Sequence, residues 1–379
     1  MGHARHVTAS ALASPPGAAP EPCVPDYGGR WVGAIVPALT GRAPAAILPD
    51  AAASARVVVL FVLDGVGWRL LTRHADAAPT LAGLAGGAIT TVAPTTTAAA
   101  LTSITTGGPP SQHGVTGFRF RVGGEVLNAL SWRLDRGGDA PEPAAVQPLP
   151  PFGGAPVPVV SRVEFERTGF TAAHLRGVPL RGWRTPGTLV THCRALLGEG
   201  HTLVYAYYDG VDKIAHAHGL QDDYLRDELR ATDRLVADLL EVLPSDGALL
   251  VTSDHGQVQV GPDRQRSLSA LDAMVERYSG EGRFRSLHAR PGASTELFAA
   301  ARELAGDEAW VRTRQQVVDA GWLGPTTGPV VAGRLGDVLI APHAPVAFAD
   351  PGYEIEQRLQ SMHGSLTEDE MLVPLLAGP

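Results

Sequence analysis

Val57-Val58-Val59-Leu60-Phe61-Val62-Leu63, stopped by Asp64-Gly65, decides how this chain folds. The run is short, continuous and β-branched and has no polar face, so it reads as a strand covered on both sides. Asp-Gly ends it in a loop. Two other segments share the shape. Thr202 to Tyr207 ends near Asp209 and Asp212, and Ala248 to Thr252 ends at Ser253-Asp254-His255-Gly256. Between them, Asp222 to Leu243 carries Leu225, Leu229, Leu235, Leu239 and Leu240 at helical spacing. Buried strands alternating with amphipathic helices predict an α/β fold, with a central, mostly parallel sheet flanked by helices. Such a sheet gathers ligands at the carboxyl ends of its strands.

The 379 residues suffice for one large domain with elaborations. Hydrophobic residues make up 44% and charged residues 18%, so the chain buries a core rather than staying disordered. With 31 basic residues against 39 acidic ones the net charge is −8, which argues against general nucleic-acid binding by wide phosphate neutralisation. Cys23 and Cys193 are far apart and form no metal or redox motif. No apolar run is long enough for a membrane span. Pro15, Pro16 and Pro20 interrupt the alanine-rich start before a secretory core develops, so a cytoplasmic location is expected. The composition predicts a disordered lead-in over residues 1–25, with order beginning near Tyr27 and one domain over 26–379. A Pro- and Gly-rich rim or cap excursion is expected over about 118–158. A smaller α+β insertion is expected over about 283–342, with a helix at Thr295 to Ala305 and strands at Trp310 to Thr313 and Asp337 to Ile340.

Each acid at a strand end has an ordinary explanation as a turn or cap. Their combination is more telling. Asp254-His255-Gly256 places a carboxylate beside an imidazole at a strand tip, a pairing that suits a metal. Asp212 and His216 are four apart, on one face if a helix follows the strand, whereas His218 points elsewhere as an outer or surface histidine. His363-Gly364 offers a further imidazole near the C-terminus. Pro94-Thr95-Thr96-Thr97 lies where a loop becomes the helix Ala98-Ala99-Ala100-Leu101, and a helix N-terminus stabilises an anion or an ionised nucleophile.

These motifs resemble the nucleotide pyrophosphatase/phosphodiesterase family of the alkaline phosphatase superfamily, along most of Val57 to Leu376. The resemblance implies an alkaline-phosphatase-like catalytic domain and a metal-dependent phosphoric ester hydrolase, a phosphodiesterase/nucleotide pyrophosphatase, with two divalent ions, Zn²⁺ by donor type, and a phosphothreonine intermediate. It implies Thr97 as nucleophile, one metal held by Asp64, Thr97, Asp254 and His255, and the other by Asp212, His216 and His363. The substrate implied is a small-molecule phosphate ester, a nucleotide among the options. Residues Pro94 through Thr106-Gly107 to His113-Gly114 follow the family's nucleophile segment without a gap. One departure matters: relatives carry an asparagine three residues after the nucleophile, and this chain has Ala100.

Phosphomonoesterase and phosphomutase activities share the fold and remain alternatives, as does a non-catalytic metal-binding relative that keeps the ligands. A sulfatase is excluded, because Cys23-Val24-Pro25-Asp26-Tyr27 lacks the motif's arginine and precedes the first strand. Trp132, Phe152, Tyr278, Trp310 and Trp322 either stack on a nucleobase or pack a minidomain, and packing is favoured. Nothing in the sequence reads out an oligomeric state.

Overall fold

The computed structural model describes residues 20–379. The central sheet has seven strands: β1 (Val57–Leu63), β2 (Ala85–Thr90), β3 (Val159–Arg162), β4 (Leu180–Trp183), β5 (Leu203–Tyr208), β6 (Gly247–Ser253) and β7 (Leu372–Gly378). Their spatial order is β2-β7-β6-β1-β5-β3-β4. Five adjacent strands run parallel; β7 runs antiparallel to both β6 and β2.

The apolar run of β1 is explained by two cores. Val58, Leu60 and Val62 enter one cluster, with Tyr205, Tyr207 and Leu250 of its neighbours. Val59, Phe61 and Leu63 enter the other, with Val204, Ala206, Leu249 and Val251. Alternate side chains thus serve opposite faces, and both faces are covered. Helix Asp223–Glu241 closes the second face with Leu225, Leu229, Leu235 and Leu239. Its N-cap, Asp222, accepts from the Tyr224 and Leu225 amides.

A four-stranded antiparallel sheet forms the smaller unit, in the order Val275–Glu281, Phe284–Ala289, Val338–Pro342 and Ala309–Thr313. Helix Ser294–Ala305 packs on it through Leu297 and Ala301. This unit begins at Val275, before the expected start near Arg283; Val275–Glu281 carries Glu276, Arg277, Ser279 and Glu281 and does not read as a core strand. The rim excursion contains a small three-stranded sheet, Arg119–Val122, Glu125–Asn128 and Arg133–Leu134, turned at Gly123-Gly124.

Residues 1–19 of the expected lead-in lie outside the described residues. Its last part is held in place: the Pro20 carbonyl accepts from Trp310 Nε1 at 2.7 Å, and the Cys23 amide donates to the Leu366 carbonyl at 2.8 Å. Both cysteines are free. Among the described residues no helix is long and apolar enough to cross a membrane.

Arg283 joins the smaller unit to the approach of β7. Its guanidinium donates to Glu370 Oε1 at 2.7 Å and Oε2 at 2.8 Å, and also to the carbonyls of Pro342, Ala344 and Val346. Both partners are fully buried. Removing one charge strands the other in a dry interior. The variant Arg283→Met is therefore expected to lose about 3–5 kcal/mol of unfolding free energy. Guanidinium titration measures it, and a loss below about 1 kcal/mol, the range of an exposed pair, would contradict the assignment.

Candidate active site

Three neighbouring parallel strands end level with one another, since Leu63 pairs with Tyr208 on one side and with Ser253 on the other. The next residues, Asp64, Asp209 and Asp254, therefore stand side by side at one edge of the sheet. Gly65 takes a positive φ of 75°, which aims its amide at Asp254 Oδ1, 3.1 Å away. A Cβ on Gly65 would also run into Gln257 Nε2.

Asp209 is level with the other two but is neutralised separately, by Lys213 Nζ at 2.6 Å and Arg162 Nε at 3.2 Å. The third site carboxylate comes instead from Asp212, in helix α1 (Gly210–His218), with His216 one turn further on. His216 Nε2 lies 3.4 Å from Asp212 Oδ1. His218 is exposed and stacks on Tyr224. His363 directly follows the two-residue strand Ser361–Met362, which pairs with Val258–Gln259 just after Asp254-His255. Thr97 is the first residue of helix α2 (Thr97–Thr106), whose N-cap residue, Thr96, makes no side-chain capping bond. Thr97 is the one partly exposed residue of a run that is otherwise buried.

All seven sequence-predicted residues come together. Donor atoms of Asp212, His216 and His363 lie within 4.8 Å of one another, as do those of Asp64, Asp212 and His255. Asp212 thus belongs to both groups. His255 Nε2 is 3.4 Å from Asp64 Oδ1, 3.4 Å from Asp254 Oδ2 and 3.1 Å from Thr97 Oγ1.

The three imidazoles are oriented in the same way. Nδ1 of His216 donates to the Ser361 carbonyl at 2.7 Å, that of His255 to the Gly256 carbonyl at 3.1 Å, and that of His363 to the Thr95 carbonyl at 2.7 Å. With the proton on Nδ1, each ring turns an Nε2 lone pair toward the carboxylates. The site then holds acceptors facing acceptors. Asp64 Oδ1 and Asp254 Oδ2 are buried without any hydrogen-bond partner. Cations placed among them would satisfy these atoms, and oxygen and imidazole donors in this mixture fit divalent metal ions.

Electrostatics agree. Burial first, then the neighbouring Asp254 and Asp212 charges, pushes the Asp64 carboxyl well above the usual range. Burial likewise raises Asp212 and Asp254 and lowers His255. His363 is held well below an ordinary histidine, by burial and then by its His255 and His216 neighbours.

Three supporting residues escaped the sequence reading. Tyr207 OH donates to Asp64 Oδ2. Gln257 Nε2 donates to Asp212 Oδ1 at 3.0 Å, and Ser361 Oγ in turn donates to Gln257 Oε1. Glu281, from the smaller sheet, reaches the Phe118 amide with Oε2 at 3.2 Å, while its Oε1 is buried without a partner. Burial lifts Glu281 to about 8. Ala100 is fully buried in the apolar core and offers no donor. Trp132, Phe152, Trp310 and Trp322 are packed in cores, and half-buried Tyr278 packs against the smaller one.

A cavity of about 240 Å³ opens beside Thr97, Asp64 and Asp212, walled by Leu101, Leu130, Phe165, Phe170 and Tyr205. A second, of about 210 Å³, meets Thr97, Asp212, His216 and His363 and is walled by Phe118, Glu281, Tyr353 and Met362.

The architecture is that of the alkaline phosphatase superfamily, and the cluster is one that could hold metal ions. The family model for type I phosphodiesterase / nucleotide pyrophosphatase matches residues 58–194 and 187–366. The chain belongs to that family, whose members are hydrolases acting on phosphoric esters. Murine ectonucleotide pyrophosphatase / phosphodiesterase 5 superposes with a TM-score of 0.65 at 15% identity, covering 85% of this chain and 88% of that one. Phosphonoacetate hydrolase from Sinorhizobium meliloti 1021, solved in complex with phosphonoformate, superposes with a TM-score of 0.62 at 18% identity, covering 86% and 90%. GPI ethanolamine phosphate transferase 3 of Schizosaccharomyces pombe is 30% identical over 82 residues, which is 22% of this chain and 9% of that protein.

His174, in the wall of the first cavity, stacks on Phe170, and burial lowers it to about 4. A folded-state value below the unfolded one means that its contribution to stability is complete above about pH 6.5 and is lost as pH falls from there toward the folded value. Between about pH 7.5 and about pH 5, wild-type protein should lose about 2 kcal/mol more unfolding free energy than His174→Gln. Equal losses in urea titrations would show that His174 is not buried neutral.

Proposed function

We propose that this chain hydrolyses phosphoric diesters at a pair of divalent cations, through a covalent phosphothreonine on Thr97. One observation carries the reading: His255 Nε2, Asp64 Oδ1 and Asp254 Oδ2 converge as acceptors, with the Thr97 hydroxyl, partly exposed to both cavities, 3.1 Å from His255 Nε2. Asp64, Asp254 and His255, with Thr97, would hold one ion, and Asp212, His216 and His363 the other. Zinc suits this mixture of imidazole and carboxylate donors. Three carboxylates against two dications leave the site at −3 + 4 = +1, which attracts a phosphate anion into an acidic protein.

Bound divalent cations would supply the positive charge that favours an ionised Thr97 oxygen and offsets charge building on the phosphoryl group. The rest is done by the chain. Thr97 Oγ attacks phosphorus, the bond to one alcohol breaks, and that alcohol leaves carrying a proton from solvent. Water then cleaves the phosphothreonine, releasing the monoester and restoring the hydroxyl. The open N-terminus of α2 presents amide groups to the phosphoryl oxygens, a role that Ala100 cannot share. Tyr207 and Gln257 hold Asp64 and Asp212 in place.

A diester is favoured over a monoester because two separate cavities meet at Thr97 and Asp212. A diester carries two substituents to fill them. The murine relative was solved as an inactive threonine-to-alanine variant in complex with AMP, which supports a ligand of nucleotide size.

Hydrolysis of bis(p-nitrophenyl) phosphate tests the reading. A chelator should abolish it and added Zn²⁺ restore it, and chelator-resistant turnover would contradict the metal site. Thr97→Ala should fall by at least about 10³-fold while binding the same metal per chain. Wild-type turnover in that variant would remove Thr97 as nucleophile. Asp254→Asn should bind less than two ions per chain by elemental analysis.

A further inference from the structure

The second cavity has a chemical character of its own. Its polar wall is acidic: Glu281 and Glu356 line it, and both are more than nine-tenths buried. Each keeps one oxygen, Oε1, without a hydrogen-bond partner. The second oxygens are occupied, that of Glu281 by the Phe118 amide and that of Glu356 by Arg285. Around these acids the wall is aromatic and aliphatic, with Phe118, Tyr353, Ile355 and Met362. Phe118 and Tyr353 rings sit 6.0 Å apart, and one face of Tyr353 is covered by the Arg119 guanidinium.

Unpartnered buried carboxylate oxygens ask for a donor, and the charges nearby leave the balance negative. Arg285 is shared between Glu356 and Asp350, and Arg119 between Asp350 and Asp135. Among the described residues no salt bridge reaches Glu281, on which Arg285 acts only from a distance. A hydrated metal ion would find apolar walls where it needs oxygen ligands. An organic ammonium finds what it needs, since its N–H groups satisfy the acids and its carbon stem packs on Phe118 and Met362. Quaternary nitrogen has no N–H and would leave both oxygens unsatisfied.

We propose that this cavity is a subsite for a primary alkylammonium group carried by one substituent of the phosphoester. The cavity shares Thr97, Asp212, His216 and His363 with the site, so a group seated in it is attached to phosphorus facing Thr97. The proposal rests on the phosphoester reading and narrows it to amino-alcohol esters. A carboxyl lifted by burial to about 8 is also one that an arriving cation restores to its charged form.

The test uses the full chain loaded with Zn²⁺ and two matched pairs of probes, titrated by NMR. Ethanolamine is compared with 1-propanol, which has the same size and no charge, and O-phosphoethanolamine with propyl phosphate. Ethanolamine should bind at least about tenfold tighter than 1-propanol, and Glu281→Gln should bring that ratio near one. Phe118→Leu, which keeps the volume but not the ring, should lower it by about threefold. Equal binding of the first pair, or a preference that survives in both variants, overturns the subsite. A tenfold first ratio with neither phosphate bound leaves the subsite standing and removes the phosphoester reading instead.

Discussion

The site is built around a repulsion that the protein alone does not relieve. Asp64, Asp212 and Asp254 are brought into one pocket, and three imidazoles are turned so that their lone pairs face them. No arginine or lysine among the described residues answers these carboxylates, although Arg162 and Lys213 are spent on Asp209 close by. Burial of unpaired charge costs several kcal/mol per ion even after relaxation. A raised Asp64 carboxyl relieves part of it and a bound cation would relieve the rest, while the bonds from Tyr207 and Gln257 and to the backbone carbonyls hold the acceptors in place.

The central sheet makes this possible, because parallel strands covered on both faces are hard to displace. Register between β1, β5 and β6 fixes where Asp64 and Asp254 stand, and the turn after β5 places Asp212 a helical turn away from Asp209. The buried Arg283–Glu370 pair secures the segment that carries His363, since Glu370 also accepts from the Ser365 amide and Thr367 Oγ1. Smaller sheet and catalytic core are thereby coupled through charge as well as apolar packing.

Much of this was legible in the sequence, for reasons that differ by element. Strand β1 runs over the expected Val57 to Leu63, because a covered parallel strand writes an unbroken apolar run. Helix Asp223–Glu241 was legible from its leucine spacing. The seven candidate residues were read from motif and order, and the structure draws their side chains into one cluster. The hairpin Val275–Glu281 and Phe284–Ala289 was not legible, since its buried arginines mimic an exposed strand. The hairpin turned at Gly123-Gly124 was not legible, because the Pro- and Gly-rich composition of that stretch reads as an irregular rim. Tyr207, Gln257 and Glu281 owe their roles to tertiary register, which local pattern does not encode.

The central claim is that two divalent cations complete this acceptor cluster. An anomalous difference map, collected from zinc-soaked crystals above the zinc absorption edge, tests it most directly. The account predicts two peaks, one bounded by Asp64, Asp254, His255 and Thr97 and the other by Asp212, His216 and His363. A map with no peak among these seven side chains would contradict it.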